Sequence, residues 1–346
     1  FNWFFINHKH IAYFNSGINP KRAKKADPDL PVPGTKKFEW PGWVPPSDAL
    51  LSGDPITAAD VDPRTNISKQ QPCSAHPQVV DQRYITSWNN KQAPGSRAPD
   101  DDFSRGPVFR SQMLDEQILP RIKGKKKITR EKLVDAMELA GTTDLRGDVA
   151  VPYALKLIGK SGGAEVQRAV KLLRSWVKSG AHRRDKDANG TYDQAEAVRI
   201  VDAWWPRWVT AEFHPALGTK LFDALEDVVP FDNEPGPIGS AYQYGWYGYV
   251  NKDLRMMLGD SVRGKFSRTY CGEGALSKCR QALVSSLKDA LAHDTDAELY
   301  PAGPCEGGDA QWCHDAVHHT ATGAITQPPI HWINRPTFQQ VVQVGG

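Results

Sequence analysis

The spacing of apolar positions divides the chain into three stretches. In FNWFFINHKHIAYFNSG (1–17), Phe1, Trp3 and Phe5 alternate with Asn2 and Phe4, and a second run, Ile11-Ala12-Tyr13-Phe14, follows the polar break Asn7-His8-Lys9-His10. Aromatic and β-branched runs around a short polar break predict a β-hairpin. Open aromatic strand edges invite association, so the same pattern predicts further polypeptide paired with these strands. The rest of 1–115 reads as strand and loop, rich in Pro and Gly, with DPDLPVPG at 27–34 and WPGWVPP at 40–46.

From 116 to 300 the period becomes helical. ITREKLVDAMELA (128–140), EVQRAVKLLRSWVK (165–178), AEAVRIVDAWW (195–205) and KCRQALVSSLKDALAHD (278–294) each carry apolar residues at helical spacing. Pro206 predicts the stop of the third, and Ser179-Gly180 the stop of the second. Residues 301–346 return to loop and strand, closing on RPTFQQVVQV (335–344), whose alternation suits a half-buried strand. Strands at both ends with helices between predict an α+β chain. Trp204, Trp205 and Trp208 read as core packing.

Charge narrows the partners. A net charge of +3 is too balanced for a nucleic-acid surface, and the basic run Lys123–Lys127 precedes a helix as a solvated loop would. No stretch approaches the ~20 apolar residues of a membrane helix. Cys271 and Cys279 lie in TYCGEGALSKC, and Cys305 and Cys313 in PCEGGDAQWC. Nearby cysteines closing Gly-rich loops predict two local disulfides, hence a secreted or extracytoplasmic protein. Four thiolates on zinc are the rival reading, against which the wide spacing counts. Cys73 is left over, as a free thiol or bonded to absent polypeptide. His314, His318 and His319 in CHDAVHH lack the Glu of a helical zinc motif.

One motif carries its own chemistry. In DKDANGTYDQAE (185–196), oxygen-bearing side chains fall at loop positions one, three, five, nine and twelve: Asp185, Asp187, Asn189, Asp193 and Glu196. Gly190 sits at position six, where the chain turns sharply, and the Thr191 carbonyl occupies position seven. This is the ligand order of a twelve-residue calcium loop closed by a bidentate Glu. An acidic turn held by Asx-type bonds is the bland alternative. No second loop pairs with it, so a structural Ca²⁺ is expected rather than a sensor.

FNWFFINHKHIAYFNSG, then DPDLPVPGTKKFEWPGW, then ITSWNNKQAPG, together resemble the second half of the β chain of the penicillin acylase family. RPTFQQVVQV resembles its returning strand. The resemblance implies part of an αββα N-terminal-nucleophile hydrolase sandwich with a large, mainly helical insertion. It implies a precursor that cleaves itself into α and β chains, exposing a Ser that attacks the amide of a small N-acyl substrate. On that pattern Asn89 is the oxyanion-hole asparagine and Arg110 orients the site. The carbonyl of Pro28 and the carboxylate of Asp101 match an interchain calcium site. Phe1 cannot be the nucleophile, so the expected partners are the α chain and the N-terminal part of the β chain. The alternative is a catalytically inactive extracellular module stapled by calcium.

Overall fold

The structure, a computed structural model, describes residues 2–17, 19–26, 32–42, 68–87, 93, 108–187, 189, 191–231, 245–300, 316–317, 330–331 and 344. For 108–110, 125, 316–317 and 330–331 it describes the backbone alone. The chain forms two compact units, Phe1–Ser111 with Val342–Gly346, and Gln112–Val341.

The first unit holds the hairpin. β1 (Asn2–Ile6) and β2 (Ile11–Asn15) pair antiparallel with Phe4 opposite Tyr13, and β3 (Gln78–Val80) adds to the far side of β2. Asn7 builds the turn, its Oδ1 accepting the N–H groups of Lys9 and His10 at 2.8 and 2.7 Å. Asn2 fastens the other end, with its Oδ1 accepting from the Tyr13 hydroxyl at 2.6 Å and from Asn15 Nδ2 at 2.8 Å. β1 is an edge strand among the described residues, and Trp3, Phe4, Phe5 and Ile6 are each more than half exposed. Among the described residues of this unit, Tyr13 and Pro20 are the buried apolar residues.

The second unit is helical: α1 (Val108–Ile122), α2 (Arg130–Thr142), α3 (Val151–Ile158), α4 (Gly163–Lys178), α5 (Ala195–Leu217), α6 (Thr219–Val228), α7 (Tyr247–Met257), α8 (Leu276–Leu291) and the short α9 (Asp296–Leu299). Each helix read from periodicity is present within a few residues. α1 spans the line at 115/116. A two-residue pair, β4 (Ala316–Val317) with β5 (Ile330–His331), lies in the last stretch. RPTFQQVVQV lies almost wholly outside the described residues.

α5 corrects one expectation. It does not stop at Pro206 but runs through Pro206 and Pro215 to Leu217. The proline withdraws one N–H from the ladder, at the Asp202 carbonyl, which costs about 3 kcal/mol in an ordinary helix. Packing outweighs that loss, because Trp204, Trp205, Trp208 and Phe213 are all buried on this helix. Burying one such ring yields roughly 1.5–3 kcal/mol. Every indole N–H in the cluster also finds an acceptor: Trp204 on Ser286 Oγ (2.9 Å), Trp205 on the Phe231 carbonyl (2.6 Å) and Trp208 on Glu212 Oε2 (2.6 Å). Tryptophan enters a core at low cost only on that condition. The tryptophans are core.

Beneath the start of α5 lies a buried charge cluster. The side chains of Asp144, Arg146, Arg183 and Asp202 are each 5% exposed or less, and their charges cancel. Arg146 donates to Asp144 Oδ2 and to Asp202 Oδ1, both at 2.6 Å, and Arg183 donates to Asp202 Oδ1 at 2.8 Å. The Tyr300 hydroxyl closes the ring on Asp202 Oδ2 at 2.5 Å. Burial alone would raise the Asp202 carboxyl. The Arg183 and Arg146 guanidiniums outweigh it and hold the group below its usual range.

Gly147 lets the segment pack this closely. A Cβ there would lie 2.5 Å from that of Ala181 and 2.6 Å from the Trp176 ring. We expect Asp202→Ala to cost about 3–5 kcal/mol, since it leaves two buried guanidiniums with Asp144 as their one carboxylate in the cluster. Asp289→Ala, which breaks the exposed pair with Arg207, should cost at most about 1 kcal/mol. Equal costs in urea unfolding would show that the cluster holds nothing together.

Candidate functional site

The acidic loop is fastened at its entry before it begins. α4 ends at Lys178, and Gly180 turns the chain at φ 105°. The next residues lie against the end of α2, where Thr143 and His182 form an antiparallel bridge. The Trp176 indole donates to the His182 carbonyl at 2.9 Å, and Arg183 enters the charge cluster. Its guanidinium also lies over the Tyr192 ring at 5.3 Å, tying the two ends of the loop together. The Asp193 N–H donates to the Arg184 carbonyl at 2.8 Å, which closes the loop.

Within this frame, carboxylate oxygens of Asp185, Asp187 and Asp193 lie within 4.8 Å of one another. Asp185 is buried at 5% exposure, while Asp187 and Asp193 are exposed. Asn189 stands among them, its N–H on Asp185 Oδ1 (3.1 Å) and its Nδ2 on Asp187 Oδ2 (3.0 Å). Asn189 Oδ1 accepts the Thr191 N–H at 2.9 Å. Lys186 contributes its N–H to Asp193 Oδ1 at 3.2 Å, and its ammonium stands 3.6 Å from Asp193 Oδ2. Three carboxylates packed this closely repel one another, and a cation among them would remove that repulsion. The donor set is all oxygen, which suits a hard divalent ion. The cluster could hold a metal.

The predicted ligands do not all converge. Glu196 lies in the first turn of α5 as expected, but its Oε1 accepts from Arg168 Nη1 of α4 at 2.6 Å, and it is outside the three-aspartate group. Sequence reasoning missed Arg168, because nothing in the pattern pairs residues 28 positions apart. It also missed Arg183 and Tyr192 as anchors.

Among the other positions, Pro28, Asn89 and Asp101 lie outside the described residues. Arg110 falls in the first turn of α1, its side chain outside the described set. Cys271 and Cys279 form the expected disulfide, whereas Cys305, Cys313 and the histidines of CHDAVHH lie outside the described residues. Cys73 is exposed, with a free thiol. No helix among the described residues is long and apolar enough to cross a membrane.

This arrangement of a short antiparallel sheet followed by a helix-rich unit has a solved counterpart. A thermostable penicillin G acylase from Alcaligenes faecalis matches with a TM-score of 0.53 at 16% identity, over 84% of this chain and 46% of that one. The shared fold is that of a penicillin acylase. The sequence pattern of the penicillin amidase family matches residues 1–345, and the chain belongs to that family. Penicillin G acylase of Escherichia coli is 42% identical over 45 residues, which are 13% of this chain and 5% of that protein. The chain thus spans less than half of the solved relative.

His182 gives this region a pH signature. Burial first, then Arg184 and Lys186, press its pKa down to about 4, with Asp135 opposing, while Thr142 Oγ1 lies 3.0 Å from Nδ1. The unfolded chain binds a proton near 6.5, so stability is full above that pH and is lost as pH falls toward about 4. His182→Gln should flatten this limb of the unfolding free energy. A limb unchanged by the substitution would assign it to other groups.

Proposed function

We propose that this chain is the C-terminal part of the β chain of a secreted, self-processed amidohydrolase that cleaves N-acyl amide bonds through an acyl-enzyme. The observation that carries the reading is the family match across residues 1–345. The disulfide Cys271–Cys279 supports an extracytoplasmic setting. The exposed aromatic strand β1 supports partners in the rest of the same precursor, the α chain and the N-terminal part of the β chain.

On this reading the nucleophile is the hydroxyl of a Ser at the start of the β chain, outside the present sequence. It attacks the acyl carbonyl while its own α-amine, with an ordinary pKa of about 7.7–8.0, takes the proton. Asn89 would donate its side-chain N–H to the oxygen as negative charge develops there, and Arg110 would orient the site. The chain by itself is therefore inactive. In the complete enzyme, Asn89→Ala should lower kcat/KM by about 10²–10³ while self-cleavage and folding persist. A loss under about threefold would make Asn89 a turn residue and favour the inactive-module reading.

The acidic loop is proposed as a calcium staple within that enzyme. Asp185, Asp187, Asn189, the Thr191 carbonyl and Asp193 would surround the ion, and Glu196 would join by leaving Arg168. The carbonyl of Pro28 and Asp101 are assigned to a second, interchain calcium site. Calcium at about 100 times Kd should stabilise the protein by about 2.7 kcal/mol. Glu196→Gln should abolish most of that gain. Arg168→Gln should tighten binding by up to about fivefold, since it removes a surface pair worth at most about 1 kcal/mol that competes for Glu196. Calorimetric titration that finds Kd indifferent to both substitutions would strike Glu196 from the ligands.

A further inference from the structure

The far half of α5 carries a second pair of buried acids, unrelated to the loop or to the proposed amidase chemistry. Glu212 on α5 is 1% exposed and Asp253 on α7 is 0% exposed. Asp253 holds the turn that carries the disulfide: its Oδ1 accepts the Tyr270 N–H and its Oδ2 the Cys271 N–H, both at 2.7 Å. Glu212 Oε2 accepts the Trp208 indole at 2.6 Å, while its Oε1 is fully buried and meets no N–H or O–H donor. The charged group that faces Glu212 is Asp253, and it can only accept.

Cations on the neighbouring elements point elsewhere. Lys252 of α7 lies over the Phe266 ring, and Arg255 of α7 pairs with Asp260. Arg207 of α5 pairs with Asp289 of α8, and His214 of α5 meets the Thr219 hydroxyl. Arg268 of the turn segment lies over the Tyr270 ring and donates to the Ala216 carbonyl. Glu273 in the turn is engaged by Lys278 of α8.

Two ionised carboxylates facing each other in a dry core would be severely destabilising, whereas one proton between them satisfies every oxygen. A metal ion is the poorer occupant, since both oxygens of Asp253 already receive N–H groups. We propose that Glu212 and Asp253 form a proton-operated latch, in which Glu212 Oε1–H donates to Asp253 and holds the disulfide turn against α5 and α7. When the proton leaves to solvent, the two carboxylates repel and the turn is released.

The turn itself is built without slack. Gly272 takes φ 56°, and a Cβ there would lie 2.1 Å from the Cys279 nitrogen, so the backbone of the turn packs directly on the first turn of α8. Burial, then the Asp253 charge, push the Glu212 carboxyl well above its usual 4.5. Stability contributed by the latch is therefore full below 4.5 and is lost as pH rises through the raised value. The latch opens on the alkaline side.

The test compares the wild-type protein with Glu212→Gln, whose amide can donate to Asp253 and accept from Trp208 at any pH. In wild type, hydrogen exchange at the Tyr270 and Cys271 amides should accelerate beyond its intrinsic pH dependence. Reduction of Cys271–Cys279 by a phosphine should quicken by about tenfold per pH unit between 4.5 and the latch pKa and level off above it. In Glu212→Gln both extra accelerations should vanish. Identical pH profiles in the two proteins would overturn the proposal. If the variant does not fold, infrared spectroscopy of wild type at neutral pH decides. The carbonyl band of a buried, protonated carboxylic acid that exchanges slowly supports the latch, and its absence refutes it.

Discussion

The helical unit is organised around the ion cluster of Asp144, Arg146, Arg183 and Asp202. Its members come from the turn after α2, from the segment that enters the acidic loop, and from the first half of α5. None of those segments could bury its own charge alone, because a lone ion in the interior costs several kcal/mol after relaxation. Together they are neutral and nearly saturated with hydrogen bonds. The cluster therefore acts as a condition on assembly: α5 can seat its tryptophans only if the two arginines arrive in register. That is a statement about specificity more than about net stability, since apolar replacement of buried ion sets is often neutral.

From this point α5 carries the consequences in both directions. Toward its N-terminus, Arg183 fixes where the loop starts and Tyr192, under the same guanidinium, fixes where it ends. The aspartates between them are crowded because their frame is rigid. Toward its C-terminus the helix crosses Pro206 without breaking, and Trp208 aims Glu212 at Asp253 and the disulfide turn. Two acidic sites thus sit on one rod with different remedies for repulsion. The first offers three carboxylates that could hold a cation, while the second is the pair proposed to share a proton.

What the sequence revealed follows from interaction range. The hairpin, the major helices and the acidic loop depend on neighbours within a few positions, and their signals survive in a linear string. The Asn7 turn and the break at Ser179-Gly180 are of this kind. Pro206 misled because the local rule for proline is weaker than a row of buried indoles, whose partners lie as far away as Ser286. The sequence pattern placed Glu196 at the twelfth ligand position, whereas the structure pairs it with Arg168 of another helix. The charge cluster and the Glu212–Asp253 pair are invisible for the same reason. An Asp or Arg at any of these positions looks like a surface residue until the fold brings its counterpart.

The two units differ in how complete they are as folded objects. The helical unit buries hydrophobic side chains from Met113 to Tyr300. In the sheet unit, by contrast, Tyr13 and Pro20 are the buried apolar residues among those described, while Trp3, Phe4, Phe5, Ile6 and Val80 stand open. An exposed row of aromatics on an edge strand is a structure that water does not favour. Family membership supplies a consistent reason, since this chain covers 46% of the solved penicillin G acylase that it matches. The helical unit would then be the part able to persist by itself.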